Sequence, residues 1–383
     1  MNLLIICFLL SFGDANQTVK IPVVDLTKNY PEKEFVVDEA DKKYVILETT
    51  DDVLADRSFS IKYTSDQRII AINSRQGDIF IFNGAGKVVS FFNNKGGSSR
   101  EYLSLQSIVY DEQNKEIFVL DSQDKNQCLV YSEDGKFVRK LNFPEESLIS
   151  ELLDFDEQTL LAYTPSYERR NVDVFEKMPY MFISKKDGRI LSHLDLSFPE
   201  RISNTLRSQG GRSALNIYSM LHPNMVKVGK EWIIANNSSD TVYLLTLDKK
   251  LTPLVVRTPT FIKDNKIVTM GVYLKTEKYL FFTTQTDYLS EMFEKFTPGR
   301  GPVELSPSKD LALDLQTGEL FIIKGITRFP CLIDVSGKAT VNSFGAYNLK
   351  NLLKDGKVEG KLKEIAQKID EEDNPVVEIA KYK

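Results

Sequence analysis

Histidine is scarce in this sequence: His193 and His222 are the only two, beside three cysteines and one tryptophan in 383 residues. Histidine catalysis and histidine-ligated metal sites therefore have little to work with, and a packed or solvated ring is the ordinary role of each. There is no Cys-x-x-Cys pair, no Gly-x-Ser-x-Gly elbow and no phosphate loop. Gly96-Gly97 and Gly210-Gly211 are isolated glycine pairs of the kind that make turns. Beyond the first residues no apolar run approaches the roughly 18 needed to cross a bilayer. Charge of one sign is also missing: 49 basic against 54 acidic side chains leave a net −5 and no basic stripe for nucleic acid. What is present is core material, with 42% hydrophobic and 27% charged residues, which excludes a disordered chain.

Leu3 to Leu10 is an unbroken apolar run followed by Ser11-Phe12-Gly13-Asp14-Ala15, which places small residues at −3 and −1 of a cut after Ala15. That pattern predicts a signal peptide over residues 1–15, export, and a mature chain in the periplasm or cell envelope. Ile6 precedes Cys7, where lipoprotein processing wants a small residue, so a lipid anchor is not expected. Cys128 and Cys331 remain, far apart and each in an apolar stretch, and read as buried free thiols.

From about Arg57 onward, runs of four to seven β-formers alternate with turns such as Ser65-Asp66, Asn83-Gly84-Ala85-Gly86 and Glu133-Asp134-Gly135. The runs group in fours, from Ser58–Phe92 and Ser107–Leu141 onward. Between Ser58 and Gly345 the spacing is about 48 residues per group if there are six. Four-stranded units at such a period predict an all-β fold, a six-bladed β-propeller making one domain over residues 16–383. The sixth unit has only Phe329 to Val335 and Ala339 to Phe344, so the chain ends, Tyr44 to Leu47 or Val376 to Ala380, are expected to complete it.

The period then changes. Leu362, Ile365, Ala366 and Ile369 fall at i, i+3, i+4 and i+7, an amphipathic helix within a helical segment of about 347–373. A closing strand is expected at about 376–380, after Asn374-Pro375. Residues 350–383 hold eight lysines and eight acids, so the helix shows no cationic face for a membrane and is expected to pack on the propeller.

Three segments carry a resemblance. Gly96-Gly97-Ser98-Ser99-Arg100-Glu101-Tyr102 sits where the NHL-like six-bladed propellers of Bacteroidetes carry a Gly-Arg-Gly-Pro-Gly-Glu-Tyr linker. Asp240-Thr241-Val242-Tyr243 and the ending Asp370-Glu371-Glu372-Asp373-Asn374-Pro375-Val376-Val377 are also similar to that family. The linker here lacks the proline, while Gly299-Arg300-Gly301-Pro302-Val303-Glu304 resembles the motif elsewhere. The resemblance implies a propeller fold and export, and no particular reaction.

Successive connections of an antiparallel four-stranded blade alternate between the two faces of the disc. The long connections Thr164 to Met178, Ser197 to Asn224 and Gln285 to Lys309 then share one face, and long loops on a rigid scaffold are where binding resides. That face holds eight of the fourteen arginines, Arg75, Arg100, Arg169, Arg170, Arg201, Arg207, Arg212 and Arg300, interleaved with Tyr167, Phe175, Tyr218, Tyr288 and Phe296. Arginine forks suit carboxylates and flat rings suit sugars or apolar groups. Pairing with Glu168, Asp173, Glu200, Glu291, Glu294 and Glu304 is the bland alternative.

Arg170, Arg212 and Arg300, with Tyr167 and Tyr288 as stacking partners, are the candidate ligand-binding residues. No catalytic residue and no metal ligand is assigned. Asp121-Ser122-Gln123-Asp124 and Asn236 to Asp240 offer oxygens suited to calcium, but both follow a second strand, where turns are needed. The expected protein is a monomeric binding module rather than an enzyme, without cofactor, for an anionic, carbohydrate or peptide ligand such as an envelope glycan. The alternatives are a calcium-dependent hydrolase or lactonase and a protein-interaction scaffold.

Overall fold

A computed structural model describes residues 21–34, 41–121, 123–124, 126–145, 147–166, 173–202, 205–207, 214–216, 223–295, 306–324, 332–333 and 336–381. The expected signal peptide, His222 and Cys331 lie outside the described residues. Six blades, numbered here from the first complete one, surround a central channel. Blade 1 is Phe59–Thr64, Arg68–Asn73, Asp78–Asn83 and Val88–Phe92. Blade 2 is Leu105–Asp111, Glu116–Asp121, Gln127–Ser132 and Phe137–Asn142. Blade 3 is Glu151–Asp154, Thr159–Tyr163, Tyr180–Ser184 and Ile190–His193.

Blade 4 follows with Met225–Val228, Glu231–Ile234, Thr241–Thr246 and Leu251–Thr258. Blade 5 has Lys266–Lys275, Tyr279–Tyr288, Lys309–Asp314 and Leu320–Lys324. Each blade pairs its strands antiparallel in sequence order, first strand innermost.

Burial explains the sequence pattern. Middle strands are covered on both faces by neighbouring blades, so Arg68–Asn73 and Asp78–Asn83 read as continuous apolar runs and are buried along nearly their whole length. Outer strands such as Phe137–Asn142 are half-covered and alternate. Trp232, 1% exposed, fills the contact between blades 3 and 4 against Phe155, and its Nε1 donates to the Asp154 carbonyl at 3.1 Å. Tyr102 of the first linker is fully buried, and its hydroxyl donates to the Gly77 carbonyl at 2.6 Å while accepting from the Asn94 amide at 3.0 Å. That tie between linker and blade 1 is what this tyrosine does in the linker motif.

Tight turns between third and fourth strands press on the preceding blade. Gly135 has φ +77°, and a Cβ there would lie 2.5 Å from Phe92 Cβ; at Gly188, with φ +83°, it would lie 2.7 Å from the Asn142 carbonyl oxygen. Both positions demand glycine for conformation and for space.

Blade 6 is built from both ends of the chain. Its strands from the centre outward are Leu332–Ile333, Ala339–Phe344, the C-terminal Val376–Lys381 and the N-terminal Lys42–Ile46. Val376 to Ala380 are all buried. Upstream, Val23–Asp25 pairs parallel with the outer strand of blade 4, and Glu32–Glu34 pairs parallel with that of blade 5. Pro22 and Pro31 lead these short strands, and their carbonyls accept from Val256 N and Ile322 N at 2.9 Å each.

The C-terminal helical segment holds two helices where the stripe predicted one, Ala346–Lys354 and Gly360–Lys368. Gly356, at φ +68°, lies between them. Leu349, Ala366 and Ile369 of these helices pack together with Val376 and Tyr44 of blade 6.

Candidate functional site

The topology assigns each connection to a face. First-to-second and third-to-fourth strand turns lie on one, the short-turn face; second-to-third connections and blade linkers lie on the other, the long-loop face. A fourth long connection joins the three expected there: residues 345–375, with both C-terminal helices, link the second and third strands of blade 6. A short hairpin, Thr205–Arg207 with Ala214–Asn216, lies within the connection from blade 3 to blade 4.

The short-turn face is stitched by ion pairs across blades. Arg68 of blade 1 meets Glu133 of blade 2 at 2.8 Å. Lys185 of blade 3, 5% exposed, reaches Asp111 of blade 2 at 2.6 Å and Asp154 of its own blade at 2.7 Å. Asp154 also takes Lys227 of blade 4 at 2.6 Å, and Lys275 of blade 5 meets Glu231 of blade 4 at 2.9 Å. Burial alone would raise the Asp111 carboxyl, but the bonds from Lys185 and Asn114 hold it below the ordinary aspartate value.

The long-loop face carries a different cluster where blades 3 and 4 meet. Glu151 opens the innermost strand of blade 3. Its carboxyl accepts from Asn224 Nδ2 at 2.7 Å and Asn224 N at 3.1 Å, at the end of the long linker. Burial pushes this carboxyl up to about 7, against the lowering by its bonds from Asn224 and the Met225 amide.

Beside Glu151, Tyr163 ends the second strand and Tyr180 begins the third, with ring centroids 5.0 Å apart. Asn236 of blade 4 donates to both hydroxyls, at 3.3 Å and 3.1 Å. Arg201 donates to the Tyr163 hydroxyl at 2.9 Å, the Thr164 carbonyl at 3.0 Å and the Phe175 carbonyl at 3.3 Å. Burial pushes the Tyr163 hydroxyl up to about 12 and raises that of Tyr180 well above its ordinary value, so both are neutral donors and acceptors at physiological pH. One blade further on, Arg257 is 4% exposed and donates to the carbonyls of Val268 at 3.0 Å and Asn237 at 3.3 Å. Burial brings its pKa down to about 10, opposed by Asp240.

Of the candidate residues, Arg170, Arg212, Arg300 and Tyr167 lie outside the described residues. Tyr288 lies on the long-loop face at the end of its strand, 44% exposed, with the Lys266 ammonium 5.1 Å from its ring centroid. Of the wider set, Arg75 is exposed, Arg100 is exposed and lies over the Phe137 ring, and Arg201 enters the buried cluster. Phe175 corrects the reading of that loop's aromatics as ligand-facing: it is 4% exposed and packs into the core between blades 2 and 3. Glu151, Asn224 and Arg257 were not singled out in the sequence.

The calcium-like clusters resolve into turn and linker contacts. Asp121 accepts from the amides of Leu103, Ser104 and Gln123, and Asn236 Oδ1 accepts from Ser238 N. His193 Nδ1 donates to the Met178 carbonyl at 3.0 Å. Cys128 is fully buried, without a disulfide, and burial pushes its thiol up. Among the described residues, no group of three or more His, Cys, Asp or Glu comes together as a metal site, and no helix is long and apolar enough to cross a membrane.

Among solved structures, the chain is similar to a Bacteroides fragilis protein whose name proposes export, with 15% identity and a TM-score of 0.64 over 94% of this chain and 100% of that one. It is also similar to a member of the DUF4221 family from Bacteroides vulgatus, with 11% identity and a TM-score of 0.52 over 91% of this chain and 97% of that one. At these identities the likeness speaks for the fold alone. No curated protein matches the sequence. The family model described as a domain of unknown function, DUF4934, matches residues 21–381, and the chain belongs to that family.

Proposed function

We propose that this protein is an exported binding module whose long-loop face takes an anionic, carbohydrate or peptide ligand. The observation that carries this reading is the asymmetry of the disc: the strands flanking its long connections all end on one face, and the cluster of Glu151, Tyr163, Asn224, Asn236 and Arg201 lies on that same face. Arg170, Arg212 and Arg300 belong to three different connections, whose flanking strands end on that face. The alternative, a calcium-dependent hydrolase, needs carboxylate and asparagine oxygens around a common point in the channel, and calcium binding by the mature chain tests it.

The test is a binding screen of the mature chain against envelope glycans and peptides, followed by Arg212→Ala and Arg300→Ala. Both variants should weaken the captured ligand and leave the melting temperature unchanged. Lys186→Ala, an exposed residue in a short turn of the opposite face, should have no effect. Lys249 is a poorer control, because its ammonium rests 4.3 Å from the centroid of the Phe182 ring. Equal affinity in all three variants would remove the long-loop face as the binding face and favour the scaffold reading.

A further inference from the structure

The acids that join the blades fall into two kinds. On the short-turn face four are met by cations, Glu133 by Arg68, Asp111 and Asp154 by Lys185, and Glu231 by Lys275, while Glu112 accepts from the hydroxyls of Tyr63 and Ser65. Glu151, at the start of an innermost strand on the long-loop face, is met by Asn224 Nδ2 and by the amides of Asn224 and Met225, all uncharged. The groups around it are Tyr163, Tyr180 and Arg201, and Arg201 turns its guanidinium to the Tyr163 hydroxyl and to carbonyls instead of to Glu151. A carboxylate has about four acceptor positions, so the three donors among the described residues leave one open.

We propose that Glu151 is the receptor for a cationic group, an ammonium or a guanidinium, of a ligand bound on the long-loop face. The proposal rests on that face being the binding face and names one group its ligand must carry. A half-buried carboxyl with no cation among the described residues, whose desolvation outweighs its hydrogen bonds, is held partly protonated near neutral pH. A cation docking at the open acceptor position favours the ionised form, so binding displaces the Glu151 proton into solvent. Of the ligand classes considered for this face, a peptide bearing a basic side chain or a free amino terminus fits best.

Agmatine, which carries both an ammonium and a guanidinium, is the probe, with neutral hexanediol as control. Calorimetric titration of the mature chain at pH 6 in two buffers of different ionisation enthalpy reads affinity and proton release together. The expected result is saturable agmatine binding with release of up to about one proton, and none with hexanediol. Binding at least about tenfold weaker is expected in Glu151→Gln, which keeps the side chain's size and an acceptor oxygen. Proton release is read on the unaltered protein, so a variant that folds poorly does not spoil the test.

Equal affinity in Glu151→Gln, or binding without proton release, overturns the Glu151 proposal and leaves the binding-face reading standing. Absence of agmatine binding also overturns it, while the glycan and peptide screen judges the face separately.

Discussion

The two faces of the disc use polar groups in opposite ways. On the short-turn face, charges of opposite sign pair across the blades, and the buried Lys185 has a carboxylate on either side. On the long-loop face, Asn236 donates to Tyr163 and Tyr180, Arg201 donates to Tyr163, and Glu151 is met by Asn224 and by no cation among the described residues. Compensated charge fixes blades in place; uncompensated charge costs stability and is kept where something else can use it. The difference teaches where charge fastens the ring and where it does not.

The most severe way to break the comparison is to open the ring on which both faces depend. Val376–Lys381 is the third strand of blade 6 and holds the N-terminal Lys42–Ile46 in place. Deleting it should abolish cooperative unfolding, as judged by a thermal melt followed by circular dichroism. A deletion variant that still melts cooperatively would show that blade 6 is dispensable.

Lys185→Met comes next. It leaves Asp111, itself 4% exposed, without its cation, and should cost about 3 to 5 kcal/mol in denaturant unfolding. The Asp111 carboxyl is held low in the folded protein, so its contribution is present above the ordinary aspartate pKa and is lost as pH falls through the folded value. The deficit of the variant should therefore shrink in acid.

Glu151 should show the opposite sign. Its pKa rises from 4.5 to about 7 on folding, so the neutral carboxyl is the form the fold favours. Stability from this group is fully present below pH 4.5 and is lost as pH rises to about 7. Glu151→Gln should resemble the unaltered protein near pH 4.5 and exceed it at pH 8 by at most about 3 kcal/mol. A constant difference across that range would place Glu151 in the compensated class.

The smallest expected effect is at Lys275 and Glu231, whose side chains are 18% and 34% exposed. Lys275→Ala should cost about 1 kcal/mol or less and depend on salt. A cost as large as that at Lys185 would mean that the outer pairs of the short-turn face act as one network.

Much of the ring was legible because its middle strands are sandwiched. Ile69-Ile70-Ala71-Ile72 and Ile79-Phe80-Ile81-Phe82 cannot sit on a solvated surface, and glycines at Gly86, Gly135 and Gly188 mark the turns between runs. The first C-terminal helix was harder to see, since Ala346 and Leu349 give only a short stripe before Gly356 interrupts it. Phe175 looked like a loop aromatic because its neighbours are polar, and only the packing of blades 2 and 3 turns it inward. Glu151 carried no signal at all. One acid before Leu152 reads as a solvated strand end, and the asparagine that meets it lies 73 residues away.

The local sequence by itself determined the strands, their grouping in fours and the rhythm of the turns, because period-two patterning and turn chemistry act over a few residues. Only the tertiary structure decided how the ring closes, with residues 42–46 and 376–381 paired edge to edge from opposite ends of the chain. It also decided which charges are compensated. Lys185 and Glu151 belong to the same blade, yet blade 2 brings a carboxylate to one and the linker to blade 4 brings amides to the other, and that environment is written in no single segment.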